Sequence, residues 1–280
     1  MGERTDVGIV EGGCVYRTEG ATGDTHRPHA LQLLVPVGGV LEANICGVEM
    51  AVPSGSSVLV APDVPRLLHR GVLRVAMLFD PESLGASFGA FARSSATTVL
   101  SGPIGKRLQA LARDICEVPT LGTGTVHAVL REGRGLLERA GLARTFDLDD
   151  RVRTAVELYR RPWLKLDHPS IARRSGISAD HLSHLFKKQV GISAKRYALW
   201  VRTVAALERF CQGASATHAA ERVDFADVAH FSRACLRHFG HSPSRLPFRR
   251  PRWGHESVER SRAHWSVALA ERLDGGAGAH

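Results

Sequence analysis

The period of hydrophobic and polar positions changes along the chain. In its first part, "HALQLLVPV", "VEMAVPSGSSVLVAP" and "VLRVAMLFD" are short runs rich in Val, Leu and Ile, divided by Gly and Pro. Such runs predict strands, and their spacing predicts a small antiparallel sandwich or barrel. From about Pro81 the apolar spacing becomes helical. Ile104, Leu108, Leu111 and Ile115 share one face of "IGKRLQALARDICEV", and "TVHAVLREGRGLLERAGL" predicts a second helix weakened by two glycines. The polar stretch "ARTFDLDD" marks a domain boundary, with residues 1–147 before it and 148–250 after it.

Beyond that boundary the pattern is helical almost throughout. Val152, Ala155, Val156 and Tyr159 form one stripe, with aspartates to cap its start and Pro162 to stop it. "SIARRSG" predicts a short helix ending at Gly176, its start delayed by His168-Pro169. Ser178 is placed to cap the next helix, whose Leu182, Leu185 and Phe186 lie on one face until Gly191. Ser193 then caps a long helix with Tyr197, Trp200, Val201, Val204 and Ala205 inward. "ATHAAERV", a turn at Asp224-Phe225 and a helix with Phe231, Cys235 and Phe239 inward follow, and Ser242-Pro243 opens a last turn.

This half repeats itself. "SGISADHLSHLFKKQVGIS", Ser175 to Ser193, has a worn copy in "DFADVAHFSRACLRHFGHS", Asp224 to Ser242. Ile171-Ala172 answers Ala219-Ala220 and Gly176-Ile177 answers Asp224-Phe225, both offset by 48. Ser183 answers Ser232, Phe186 answers Cys235, Gly191 answers Gly240 and Ser193 answers Ser242, all offset by 49. The copy therefore holds one extra residue in or just after its turn. A short helix, a Gly turn and a capped second helix with a basic outer face make a helix-turn-helix. The helix between the copies, about 19 residues, is roughly 28 Å long, against roughly 34 Å between successive major grooves on one face of B-DNA. That length lets one protomer set two reading helices in neighbouring grooves of an asymmetric site.

Charge sharpens this picture. Residues 1–150 hold 14 Lys+Arg and 17 Asp+Glu, net −3, and residues 151–280 hold 23 and 11, net +12, which together give the +9 of the chain. The positive charge belongs to the repeated half, and attracts nucleic acid by counterion release. With 44% hydrophobic and 23% charged residues the 280-residue chain has the composition of a folded protein. No apolar run approaches a membrane span and no secretory signal is present, so the expected location is cytoplasmic. The five cysteines are scattered, with no CxxC pair, which speaks against a disulfide framework or zinc ribbon.

"IARRSGISADHLSHLFKKQVGISAKRYALWVR" and "VDFADVAHFSRACLRHFGHSPSRL" resemble the C-terminal domain of the AraC/XylS family of bacterial transcription regulators. The second carries that family's Phe-Ser-Arg and Phe-Gly-x-Ser-Pro elements. "PHALQLLVPVGGVL" and "SSVLVAPDVPRLLHRGVLRVAMLFDPES" are similar, more loosely, to the degenerate cupin-like effector or dimerisation domains of such regulators. The resemblance implies an α+β chain: a β-rich cupin-like N-terminal domain, then an all-α domain with two helix-turn-helix units joined by a long helix. It implies double-stranded DNA as partner, with a small-molecule effector, a homodimer through the N-terminal domain, and RNA polymerase if the protein is an activator. Three departures stand out: Asp224 replaces the turn Gly, Ala226 occupies the usual polar cap, and Cys235 replaces a bulky aromatic. They predict a softer second unit.

By the same resemblance the base-facing positions are Asp180, Ser183 and His184, answered in the second unit by Val228, Ala229, Ser232 and Arg233. Ser183 and His184 carry donors for base acceptors, Asp180 an acceptor for a cytosine amine, and Arg233 a fork suited to guanine. Val228 and Ala229 offer only contact with thymine methyls. Ser178, Lys187, Ser193, Lys195 and Arg196 are the expected phosphate contacts, which position without reading sequence. The basic, aromatic tail from 251 to 280 is expected to be disordered.

A cupin-type metalloenzyme with an accessory helical domain is the competing reading. Its only ligand candidates are His26, His29, Glu42 and His69, which lack the HxH pair and following glutamate, and Arg66 stands where related segments often carry His. With no paired carboxylates, nucleophile elbow or P-loop, the sequence predicts neither an enzyme nor a cofactor.

Overall fold

The computed structural model describes residues 6–20, 22–69, 71–84, 96–119, 121–143 and 147–245, so the extension at 251–280 lies outside the described residues. Among the described residues nine strands run β1 (Asp6–Val10), β2 (Gly13–Thr18), β3 (Leu31–Pro36), β4 (Val40–Ile45), β5 (Val48–Pro53), β6 (Ser57–Val60), β7 (Arg66–Leu68), β8 (Arg74–Phe79) and β9 (Thr97–Leu100). They form two antiparallel sheets, ordered β1-β2-β8-β3-β6-β9 and β5-β4-β7. Helices α1 (Gly102–Glu117) and α2 (Thr123–Arg139) follow. Then come α3 (Asp150–Tyr159), α4 (His168–Arg174), α5 (Ala179–Val190), α6 (Ala194–Cys211), α7 (Ala216–Arg222) and α8 (Val228–Phe239), with a 3-10 turn at Pro243–Arg245. This is the expected α+β order, a β-rich half followed by helices.

The large sheet is covered on both faces, which explains its unbroken apolar runs. Leu33 lies opposite Leu59 and Met77. Leu31, Leu33, Val35, Val75, Met77 and Phe79 face α1 and α2, while Leu34, Ala76, Leu78, Val58 and Val60 face Leu41, Ala43, Ile45 and Leu68 of the small sheet. One face of the small sheet is open, so β4 alternates: Leu41, Ala43 and Ile45 inward, Val40 and Glu42 exposed.

The three apolar runs mark β3, β5, β6 and β8 and leave the other strands unmarked. The β1–β2 hairpin was not read from the sequence, although Gly12, at φ +94, sits in a two-residue link between apolar runs. β9 pairs with β6 through Ser57–Leu100 and lies in a stretch that the sequence pattern assigned to helical territory.

The core continues into the helical half. Val152, Ala155, Tyr159, Ile171, Leu182, Phe186, Val190 and Tyr197 belong to the same contiguous cluster as α1, α2 and the sheet. The second unit has a smaller core of its own: Ala206, Ala220, Val223, Phe225, Phe231, Ala234 and Cys235.

Its turn departs from expectation in one respect. Asp224 is left-handed at φ +65, as Gly176 is at φ +73, and Phe225 N–H donates to the Ala220 carbonyl as Ile177 N–H does to Ala172, both at 3.1 Å. The cap, however, is Asp227, which accepts from His230 N–H at 2.5 Å, 49 residues beyond the Ser178 cap. Ala226 is therefore the inserted residue, and the unit keeps its polar cap. The start of α4 also needs correction: it begins at His168, capped by Asp167, because proline in a first turn gives up an N–H that has no helical partner anyway.

A buried ionic knot joins the two halves. Arg160, at the C-terminal end of α3 with 15% of its side chain exposed, bonds Glu82 and lies 3.4 Å from Asp80, with Glu11 as a third carboxylate. Tyr197 of α6 donates its hydroxyl to Glu82 at 2.7 Å, and Trp200 of α6 donates Nε1–H to Asp80 at 2.8 Å. Burial, and then Glu82, push Asp80 up to about 7, with Arg160 and Trp200 opposing.

Two predictions follow from this packing. Asp224→Gly, by removing a side chain from left-handed backbone, should stabilise the chain by about 0.5–1 kcal/mol in urea melts; destabilisation would show that the pairing of the Asp224 carboxylate with Arg202, at 3.8 Å, matters more. Arg160→Met leaves two buried carboxylates without their cation and should cost about 3–5 kcal/mol. Because the folded state holds the Asp80 proton more tightly than the unfolded chain, its contribution is full below about pH 4 and lost as pH rises through about 7. The deficit of Arg160→Met, measured by urea melts, should accordingly be larger at pH 8 than at pH 5; equal deficits would contradict this.

Candidate nucleic-acid interface

Each unit offers its reading helix by the same local logic. In α5 the helical period sends Leu182, Phe186 and Val190 inward and leaves Asp180, His181, Ser183, His184, Lys187 and Lys188 exposed. Ser178 Oγ accepts from His181 N–H at 3.2 Å, and Gly191, left-handed at φ +88, ends the helix. In α8, Phe231, Ala234, Cys235 and His238 go inward. Ala229, Arg233 and Arg237 are exposed there, and Val228 and Ser232 half-buried. Cys235 is fully buried where the resemblance places an aromatic, and Phe225 and Phe231, with centroids 5.4 Å apart, fill the small core around it.

The expected base-facing set is thus brought to the surface of two helices, with Asp180, Ser183 and His184 on α5 and Ser232 and Arg233 on α8. α6, 18 residues long, runs between the units, beginning at the Ser193 cap, whose Oγ accepts from Arg196 N–H at 3.4 Å. Lys187 and Lys195 are exposed. Ser178 and Ser193 spend their side-chain oxygens as caps, so what they offer a phosphate is the positive helix end rather than a free acceptor.

Arg196 is not free. Its guanidinium pairs with Asp63 Oδ2 at 3.1 Å, on a loop of the β-rich half. The same carboxylate bonds His29 Nδ1. Burial works against ionisation of Asp63, but His29 and Arg196 outweigh it and hold its pKa below the usual range. His29 packs edge-on against His238 of α8, at 4.6 Å between centroids, and His238 packs against Trp200 of α6. His238 is fully buried, which with neighbouring His29 lowers its pKa to about 3, so it is neutral at ordinary pH. Arg27 N–H donates to the Arg237 carbonyl at 2.6 Å and Asp24 N–H to that of Gly240 at 3.0 Å, so the C-terminal end of α8 is tied to the β-rich half by backbone.

The sequence reading missed this contact set. His238 carried a usable signal, since it falls at the buried spacing of Phe231 and Cys235; Asp63 and Asp80 lie in loops and Glu82 in the single 3-10 turn Pro81–Leu84, with no periodicity to mark them.

Of the metal-ligand candidates His26, His29, Glu42 and His69, two have carboxylate partners of their own. His29 holds Asp63, and His69 Nε2 lies 3.3 Å from Glu49. His26 is buried, with burial and then Arg66 lowering its pKa to about 3. Arg66 is buried between the sheets, donating to Gln32 Oε1 at 2.7 Å and the Ala61 carbonyl at 2.9 Å. Among the described residues no group of three or more His, Cys, Asp or Glu is arranged to hold a metal ion, and no helix is long and apolar enough to cross a membrane.

Residues 171–249, which run from α4 past the last turn, match the family described as a helix-turn-helix domain. No curated protein matches the chain. Among solved structures, ToxT from Vibrio cholerae is 12% identical, covering 87% of this chain and 97% of its own, with a TM-score of 0.53. ToxT bound to unsaturated fatty acid gives 0.54, at 12% identity over 86% and 93%. At these identities the likeness is one of fold. The C-terminal domain of AraT, a response regulator from Geobacillus stearothermophilus, is 27% identical over 40% of this chain and 93% of its own, with a TM-score of 0.34. The domain match, the duplicated unit and the ToxT-like fold converge: residues 171–249 are a helix-turn-helix DNA-binding domain of the AraC/XylS type, carried behind a β-rich N-terminal half.

Proposed function

We propose that the chain is a sequence-specific transcription regulator in which one protomer reads two adjacent major grooves. The observation that carries this reading is the pair of capped helices, α5 and α8, each with an exposed polar and basic face and each packed on α6. Asp180, Ser183 and His184 face bases from the first, Ser232 and Arg233 from the second. Lys187, Lys195 and the helix ends at Ser178 and Ser193 meet phosphates, and Arg196 joins them only by leaving Asp63. At about 1.5 Å per residue α6 is roughly 27 Å long, a span suited to successive grooves.

In this reading residues 148–250 form the DNA-binding part, and residues 1–147 sense a small molecule or pair with a second copy. The unsaturated fatty acid bound to ToxT supports an effector on this fold. RNA polymerase is the further partner if the protein activates. The site of action is the cytoplasm.

Mobility shifts on the DNA flanking the coding region test the reading. Affinity should fall steeply with salt. Arg233→Ala should cost about 1–3 kcal/mol and relax preference at one base pair, whereas Lys195→Ala should weaken all sequences alike and reduce the salt slope by about 1. Binding indifferent to salt, or unchanged by Arg233→Ala combined with His184→Ala, would contradict it.

A further inference from the structure

Beneath the first reading helix, three side chains form a relay that the reading above does not use. Tyr159 closes α3, and its hydroxyl lies 2.5 Å from Nδ1 of His168, the first residue of α4. On the other side of that ring, Nε2 lies 3.1 Å from the Ala179 carbonyl oxygen and 2.9 Å from Ser183 Oγ. Ala179 and Ser183 are both on α5, so the imidazole bridges the two helices of the unit.

The partners dictate where the hydrogens sit. A carbonyl oxygen only accepts, so Nε2 carries the ring proton. In the neutral ring Nδ1 is then an acceptor, and its partner must donate. Tyr159 meets that demand: burial raises the pKa of its phenol, which keeps its O–H. The Nε2–H is shared between the Ala179 carbonyl and Ser183 Oγ, so the serine oxygen accepts from within the protein. Its own O–H is thereby left for the outer side, and Ser183 is exposed.

We propose that His168 is a positioning residue for base recognition: it fixes Ser183 as an outward donor, so that Ser183 selects an acceptor on a base edge. The acceptors available in the major groove are N7 or O6 of guanine, N7 of adenine and O4 of thymine, favoured over the N4 amine of cytosine, which only the one remaining lone pair of Ser183 could meet. The proposal rests on α5 being a reading helix. A purely structural role would end at the Ala179 carbonyl, which pins α4 to the first turn of α5, and would leave the serine without consequence.

The test is selection of binding sites from randomised duplexes by the full chain. The base pair facing Ser183 is the one whose preference Ser183→Ala flattens. There the unaltered chain should prefer one base about fivefold, the worth of a single hydrogen bond. His168→Ala should flatten the same pair and no other, and His168→Gln, whose amide can donate to both oxygens, should restore it. Replacing the selected base with an analogue lacking the acceptor (a 7-deazapurine, a purine without O6 or a pyrimidine without O4) should weaken the unaltered chain about fivefold and Ser183→Ala not at all. Preference retained in His168→Ala, no pair flattened by Ser183→Ala, or contact with an amine would each overturn the proposal and leave the regulator reading intact. A chain that selects no site overturns both. If His168→Ala loses its cooperative melt, His168→Gln and the base analogues decide: loss of preference in the first, or indifference to the second, overturns the proposal.

Discussion

One guanidinium, that of Arg160, holds together parts of the chain nearly eighty residues apart in sequence. Glu82 and Asp80 take it from the end of the β-rich half, and those carboxylates also hold Tyr197 and Trp200 of α6. Buried charges of this kind add little net stability, because desolvation offsets the attraction, but removing one partner is costly. What they specify is geometry. α6 carries both helix-turn-helix units, so an arrangement that fixes α6 against the sheet fixes the platform of both reading helices. The second anchorage, Asp63 with His29 and Arg196 and His238 against His29, acts at the N-terminal end of α6 and the C-terminal end of α8.

The two units are built alike and embedded differently. The first shares the continuous core of sheet and helices through Ile171, Leu182, Phe186 and Tyr197. The second depends on a small cluster about Phe225, Phe231 and Cys235, on a left-handed aspartate in its turn, and on the tie of its reading helix to the β-rich half. A small core leaves less apolar area to oppose local opening. Arg233, the side chain proposed to read guanine, therefore sits on the unit whose position depends most on its neighbours.

Much of this was legible in the sequence because local rules agree with the fold. The Ser178 and Ser193 caps, the Gly176, Gly191 and Gly240 stops and the inward stripe of α5 follow from helix geometry alone, and the 48-to-49 offset located the inserted residue to within its turn. The apolar runs of β3, β5, β6 and β8 marked the β-rich half. What escaped has physical causes. β9 is short and half-buried, with too little period to separate it from the helices after it. The cap at Asp227 was misplaced by one residue because an insertion in a turn has no periodic signature. The Arg160 knot and the Asp63 contacts join loops to helices across the fold, and pairing at that distance leaves no trace in local pattern. Pro169 shows the reverse case, where a residue that breaks helices in their interior is at home in the first turn.

The account turns on α6 serving as a rod that sets α5 and α8 one duplex turn apart. Hydroxyl-radical footprinting of the full chain at its operator, with the protein-to-site ratio measured in parallel, tests this directly. The account predicts that one protomer protects an asymmetric site covering two consecutive major grooves on one face, and that Arg233→Ala erases protection in one of them only. A single protected groove per protomer, or two grooves protected only when two protomers are bound, would contradict it.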